Sequence, residues 1–160
     1  MSQAKFLVLG SNSFSGSHFI AETLRKGHIV HGLSRSNENN DVFLPYKWNK
    51  PNQYNNYQEY FTFHKIDINN DFKKLIELIN EYKPEYVVNF AAQGMVAESW
   101  LNPTQWYKTN ILSQVRFHDE LRKLESLKKY IHVTTPEVYG STNNTWISED
   151  HRFDPTTPYA

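Results

Sequence analysis

A glycine-bounded segment, Gly10-Ser11-Asn12-Ser13-Phe14-Ser15-Gly16, sits between an apolar run and a stretch with helical spacing. Glycines at a strand-to-helix turn permit a tight bend and a close approach of helix to strand. The helix N-terminus then offers free N–H groups and a positive dipole end to a pyrophosphate. Ser34-Arg35 closes a second apolar run. An acidic side chain at that place binds the adenosine ribose of NAD, whereas an arginine pairs with a 2′-phosphate, so the pair ranks NADP ahead of NAD. Further on, Thr135-Pro136-Glu137-Val138-Tyr139-Gly140 and Thr157-Pro158-Tyr159-Ala160 supply hydroxyls, a carboxylate and a phenol, groups that move protons in catalysis. Taken alone, Glu137 reads equally as a loop cap and Tyr159 as a loop residue after a proline.

The elements that must position these residues alternate. Lys5 to Leu9, Ile29 to Leu33, Tyr60 to Ile66, Tyr86 to Phe90 and Tyr130 to Val133 read as short strands, apolar on both faces as buried parallel strands are. Phe14 to Lys26 reads as the first helix, with Gly27 at its C-terminal cap. Phe72, Leu75, Ile76, Ile79 and Tyr82 form an amphipathic face, with Asp71 at the N-cap and Pro84 as the stop. Asn102 as a cap and Pro103 in the first turn open a helix running to about Leu124, apolar on more than one face. Strand and helix alternate five times, which predicts an α/β fold, an open parallel sheet of Rossmann type in the order 3-2-1-4-5, helices on both faces. Ser36 to Glu59 breaks the rhythm. Its asparagines read as a surface insertion, and its aromatic residues as a piece docked on the cofactor's adenine end or on a neighbouring subunit.

The 160 residues carry 17 basic and 17 acidic side chains, which leaves no basic stripe for nucleic acid or an anionic membrane surface. Cysteine is absent, so disulfides and thiolate metal sites are excluded, and the seven histidines show no metal-ligand spacing. No apolar run is long enough for a signal peptide core or a membrane helix, and a cytoplasmic protein is expected.

The glycine segment resembles the turn of the extended short-chain dehydrogenase/reductase superfamily, G-x-x-G-x-x-G, with Gly10 and Gly16 at the outer glycines and Ser13 at the middle one. The resemblance covers nearly the whole chain. Phe90-Ala91-Ala92-Gln93 is similar to the superfamily's A-A motif, which lets the nicotinamide half of the cofactor lie on the backbone. Val96, Ser99 and Pro103 match V-x-x-S-x-x-x-P, and Thr109-Asn110 matches T-N. Asp67-Ile68 falls where the superfamily meets the adenine amino group; a capping or loop role for Asp67 reads almost equally well. Ser34-Arg35 is similar to the basic, NADP-using segment of the superfamily's GDP-mannose dehydratases.

The resemblance implies an enzyme of nucleotide sugars. Tyr159 matches the tyrosine of Y-x-x-x-K, the base for a sugar hydroxyl, whose lysine would fall past Ala160. Thr135 matches the hydroxyl that bridges substrate and tyrosine. Glu137 matches the carboxylate that 4,6-dehydratases use, in T-D-E or T-S-E, on the C5 proton once C4 is a ketone. Pro136 replaces the residue that donates a proton to the leaving hydroxyl, so Glu137 must do both jobs or the reaction is not a dehydration. A 4,6-dehydratase of a nucleotide hexose is therefore expected. The alternatives are an epimerase or decarboxylase of the same superfamily, or a non-catalytic cofactor-binding fragment. The resemblance further implies that residues 1–160 are a cofactor domain cut before its last strands, without a substrate domain, and that the full-length enzyme is a homodimer.

Overall fold

The computed structural model describes residues 3–48 and 57–160. Met1-Ser2 and residues 49–56 of the expected insertion lie outside the described residues. Strands β1 (Lys5–Leu9), β2 (Ile29–Ser34), β3 (Phe61–Lys65), β4 (Tyr86–Asn89) and β5 (Lys129–His132) form one parallel sheet in the order β3-β2-β1-β4-β5. Leu9 is in register with both Leu33 and Asn89, so these three strands end at one edge of the sheet and their outgoing turns share that edge. Leu7, Val8 and Leu9 are all fully buried, because both faces are covered. Leu7 and Leu9 join Leu33, Leu75, Ile79, Val87, Phe117 and Leu121 on one face; Val8 joins Ile20, Leu24, Val30 and Phe61 on the other.

The helices are α1 (Phe14–Arg25), the single turn α2 (Tyr57–Tyr60), α3 (Phe72–Tyr82), α4 (Val96–Leu101), α5 (Pro103–Trp106) and α6 (Ser113–Leu121). Gly27 follows α1 with φ of +82°, the left-handed conformation expected past a helix end. Three expectations need correction. The long helix from Pro103 is α5, a π-helical stretch (Tyr107–Leu112) and α6, and it ends at Leu121; α4 precedes it unannounced. Asn102 makes no side-chain capping bond. Asp71 occupies the N-cap position of α3, but its carboxylate accepts from the Asp67 N–H at 3.1 Å and from Lys74 at 2.8 Å, so it ties the preceding loop instead of the helix.

The described part of the Ser36–Glu59 segment docks on its own domain. Leu44 is fully buried and Tyr46 nearly so, and the Tyr46 ring lies 4.5 Å from that of Phe61 in the cluster under α1.

His31 and His64 meet on the α3 side of the sheet, Nδ1 to Nε2 at 3.1 Å, and the His31 ring stacks on Tyr82 at 3.6 Å. Burial, then His64 and Lys5, hold the His31 pKa down to about 4 from an ordinary 6.5. An unfolded chain therefore protonates this residue near pH 6.5, while the folded chain resists until about pH 4. Between those values the unfolded state binds more protons, so stability falls as pH falls. For a half-exposed ring the loss is about 1–2 kcal/mol. Urea midpoints should drop across this window, and His31→Phe should flatten the drop.

Candidate cofactor and active site

The turns leaving β1, β2, β4 and β5 surround two joined clefts at the carboxyl edge of the sheet. One, of about 350 Å3, is lined by residues that include Gly10, Asn12, Ser34, Arg35, Asp67 and Gln93. The other, of about 710 Å3, runs past Asn110, Gln114 and His132 to Thr135 and Tyr159. Ser13, Phe90, Ala91 and Ala92 line both, so they form the waist where the clefts meet. The waist lies between β1 and β4, where the chain order of the sheet reverses, which is where open α/β sheets bind ligands.

The glycine turn owes its shape to two close approaches. Gly10 has φ of +78°, and a Cβ on it would lie 2.8 Å from the Phe90 carbonyl carbon and 2.9 Å from the Ala91 nitrogen. A Cβ on Gly16 would lie 2.3 Å from the Gly10 oxygen, because α1 starts directly against the turn. Ser13 fits because its φ is −74°, which needs no glycine. Its hydroxyl donates to the Gly10 oxygen at 2.7 Å and accepts from the Gly16 N–H at 3.0 Å, capping α1. The N–H groups of Phe14 and Ser15 find no acceptor among the described residues, so the first turn of α1 faces the larger cleft with two free donors. Gly16→Ala gives a better helix former by about 1 kcal/mol. The clash with backbone should outweigh that, for a net loss of about 1–3 kcal/mol seen as a lower melting temperature.

The other expected cofactor residues hold the clefts' walls. The Ser34 hydroxyl accepts from the Asn12 N–H at 3.2 Å and so braces the glycine turn. Asn12 in turn donates to Ser36 Oγ and the Asn37 carbonyl, while its own Oδ1 is buried without a partner. Arg35 is exposed and reaches Gln93 Oε1 at 3.4 Å. The Asp67 carboxylate accepts from the Asn69 N–H at 2.8 Å and from the Asn70 amide at 2.9 Å, which is the loop role. Ile68 is buried in the core beneath it. Phe90 packs on Phe19, with ring centres 5.8 Å apart. Asn110 grips Gln93 at both ends, accepting from its N–H at 2.7 Å and donating to its carbonyl at 3.0 Å. This grip comes from the π-helical stretch, a distortion that often marks functional sites.

Thr135 and Tyr159 share the larger cleft, but Glu137 is not among its lining residues. Glu137 sits on the single 3-10 turn Pro136–Tyr139, half-buried, and its N–H donates to the Thr135 hydroxyl at 3.3 Å. Thr157 Oγ1 accepts from the Ala160 N–H at 3.1 Å, a turn that fixes the backbone on either side of Tyr159. The sequence motifs include Asn12 and Gln93 without giving either a role of its own, and they do not reach Gln114 or His132. The one available signal was Asn89, a polar residue ending an apolar strand: it is fully buried and bonded to Gln114 at 2.7 Å. Among the described residues no group of three or more histidines and carboxylates could hold a metal ion. Among them, too, no helix is long and apolar enough to cross a membrane.

A family model described as GDP-mannose 4,6 dehydratase matches residues 7–160. The chain belongs to that family. Among its relatives is a GDP-mannose 4,6-dehydratase of Yersinia enterocolitica, 29% identical over 98% of this chain and 42% of the relative. Another is the Staphylococcus aureus protein CapI, also 29% identical, over 98% of this chain and 45% of the relative. Of solved structures, a Thermotoga maritima UDP-glucose 4-epimerase with UDP-glucose superposes with a TM-score of 0.78 at 25% identity, over 97% of this chain and 46% of that one. A Campylobacter jejuni UDP-Glc/GlcNAc 4-epimerase, at 24% identity and a TM-score of 0.82, shares the fold. The family member described here spans less than half the length of each.

Proposed function

We propose that this chain supplies the cofactor site and part of the catalytic site of a nucleotide-sugar 4,6-dehydratase. The observation that carries the reading is that the two clefts share Ser13, Phe90, Ala91 and Ala92, with Arg35 on the smaller and Thr135 and Tyr159 on the larger. The turn at Gly10 and Gly16, closed to any side chain, and the free N–H groups of Phe14 and Ser15 on the larger cleft suit a dinucleotide's pyrophosphate. A bound nicotinamide would take up the hydride from C4 of the sugar and give it back at C6 once water has left, so the product is a 4-keto-6-deoxy sugar and the cofactor ends unchanged. Tyr159 holds and takes the proton of the C4 hydroxyl, with the Thr135 hydroxyl orienting it. Glu137 takes the C5 proton, acidified by the C4 ketone, and passes it to the departing oxygen at C6; C5 then regains a proton from solvent by way of the same carboxylate. The test is product mass from a nucleotide hexose with the protein carrying this sequence. Loss of one water supports the reading, and an unchanged mass overturns it in favour of epimerisation. Two observations favour that second reading: Pro136 has no proton to give, and Glu137 does not line the cleft.

We infer NADP over NAD. Arg35 borders the smaller cleft, and the residue before it, at the end of β2, is a serine and not the carboxylate that would bind the adenosine ribose. NADPH should bind more tightly than NADH, and Arg35→Ala should remove about a tenfold preference, as loss of a charge-assisted contact does. Fluorescence titration with both nucleotides decides it, and tighter NADH binding by the wild type rejects it. The homodimer remains our proposal too, with Trp100, Leu101, Leu112 and Val115, all more than half exposed on α4 to α6 and outside the cleft lining, in the face a second copy covers.

A further inference from the structure

We propose that His132 is a ligand-contacting residue of the larger cleft, a neutral imidazole whose Nε2–H is held ready for an uncharged oxygen acceptor, a carbonyl or a hydroxyl. The inference rests on that cleft being the cofactor and sugar site proposed above. A chain of hydrogen bonds anchored on backbone fixes the tautomer. The Ala91 N–H can only donate, and it lies 2.9 Å from Asn89 Oδ1, so the Asn89 amide has one orientation. Its nitrogen then gives one proton to Gln114 Oε1 at 2.7 Å and the other to the Tyr130 oxygen at 3.1 Å. The acceptor left for the Tyr130 proton is His132 Nδ1, at 2.9 Å. Nδ1 is therefore the lone-pair nitrogen, and the proton of the neutral ring sits on Nε2.

A proton on Nδ1 would leave the Tyr130 O–H with no acceptor among the described residues and would point at the Asn89 amide nitrogen, a donor, at 3.3 Å. Burial, and the neighbouring His118 on α6, likewise hold the His132 pKa below the ordinary histidine value. Nε2 has no partner among the described residues, and His132 lines the cleft beside Thr134, Thr135 and Tyr159. Asn89 is fully buried, and a buried amide is costly unless satisfied. The network satisfies it and leaves over one group without a partner among the described residues, the Nε2–H of a residue that lines the cleft.

The acceptor belongs to either the nicotinamide carboxamide or a sugar hydroxyl, and binding separates the two. Nitrogen-15 histidine NMR on this chain at neutral pH should show His132 as the Nε2–H tautomer. His132→Phe, which keeps an aromatic ring and removes the donor, should weaken one ligand about fivefold, the scale of one neutral hydrogen bond. Weakened NADPH or NADH binding assigns the carboxamide; weakened GDP-, UDP- or dTDP-hexose binding assigns the sugar. His132→Gln, which restores an N–H, should recover most of the loss, a rescue that a merely structural role would not give. Thermal melts confirm that each variant is folded. A proton found on Nδ1, or equal binding of every ligand by wild type and His132→Phe, overturns this inference alone. Failure of the wild type to take up any of these ligands overturns the proposed function as well.

Discussion

Tyr159→Phe should lower turnover by about 10²–10⁴-fold while leaving nicotinamide-nucleotide affinity and melting temperature near their wild-type values. The separation follows from what the substitution removes. The ring of Tyr159 is half-buried in the wall of the larger cleft, and phenylalanine keeps that ring and its packing. The turn that holds it, Ala160 N–H to Thr157 Oγ1, does not involve the phenol. Thr135 also stays in place, because its hydroxyl is anchored by the Glu137 N–H. Only the oxygen we propose as acceptor of the sugar's proton is lost. A Tyr159 that merely filled the loop would give a variant with unchanged kcat, as measured by product formation with saturating nucleotide hexose.

The fold was largely legible because its signals are local and repeated. Each strand was located to within a residue or two by its doubly apolar run, and Leu7, Val8 and Leu9 show why: a strand covered on both faces has no polar alternation to confuse. Alternation of strand and helix, with right-handed crossovers, then yielded the order β3-β2-β1-β4-β5. The site was legible in part. Gly10 and Gly16 are where the turn needs no side chain, and Ala91, Thr135 and Tyr159 do meet across one cleft. What stayed hidden is pairing between side chains far apart in sequence. Ser34 turns to Asn12, Asn110 to Gln93, and Leu44 to the core under α1. None of these leaves a periodic trace, and short polar residues read the same whether they hold a ligand or a loop. The π-helical stretch is a further case, since its extra residue per turn distorts the 3.6-residue pattern that a sequence reader counts.

Glu137→Gln has an expected effect that depends on which reaction the site performs. Glutamine matches glutamate in shape and keeps an oxygen acceptor, but it cannot carry a proton between C5 and O6. In a 4,6-dehydratase the substitution should therefore cost about 10²–10⁴-fold in water loss. It should also abolish incorporation of solvent deuterium at C5 of the product. A 4-epimerase inverts C4 and never breaks the C5–H bond, so there the variant should stay within a few-fold of wild type. The position of Glu137 sharpens the contrast. Its backbone is fixed at the start of the 3-10 turn by Thr135, yet its side chain is not part of the cleft wall. Dehydration thus requires the carboxylate to swing inward when the sugar is bound, and Pro136 beside it has no proton to donate in its place. A variant that still releases water at the wild-type rate would remove Glu137 from the chemistry and leave Thr135 and Tyr159 as the reacting pair of an epimerase.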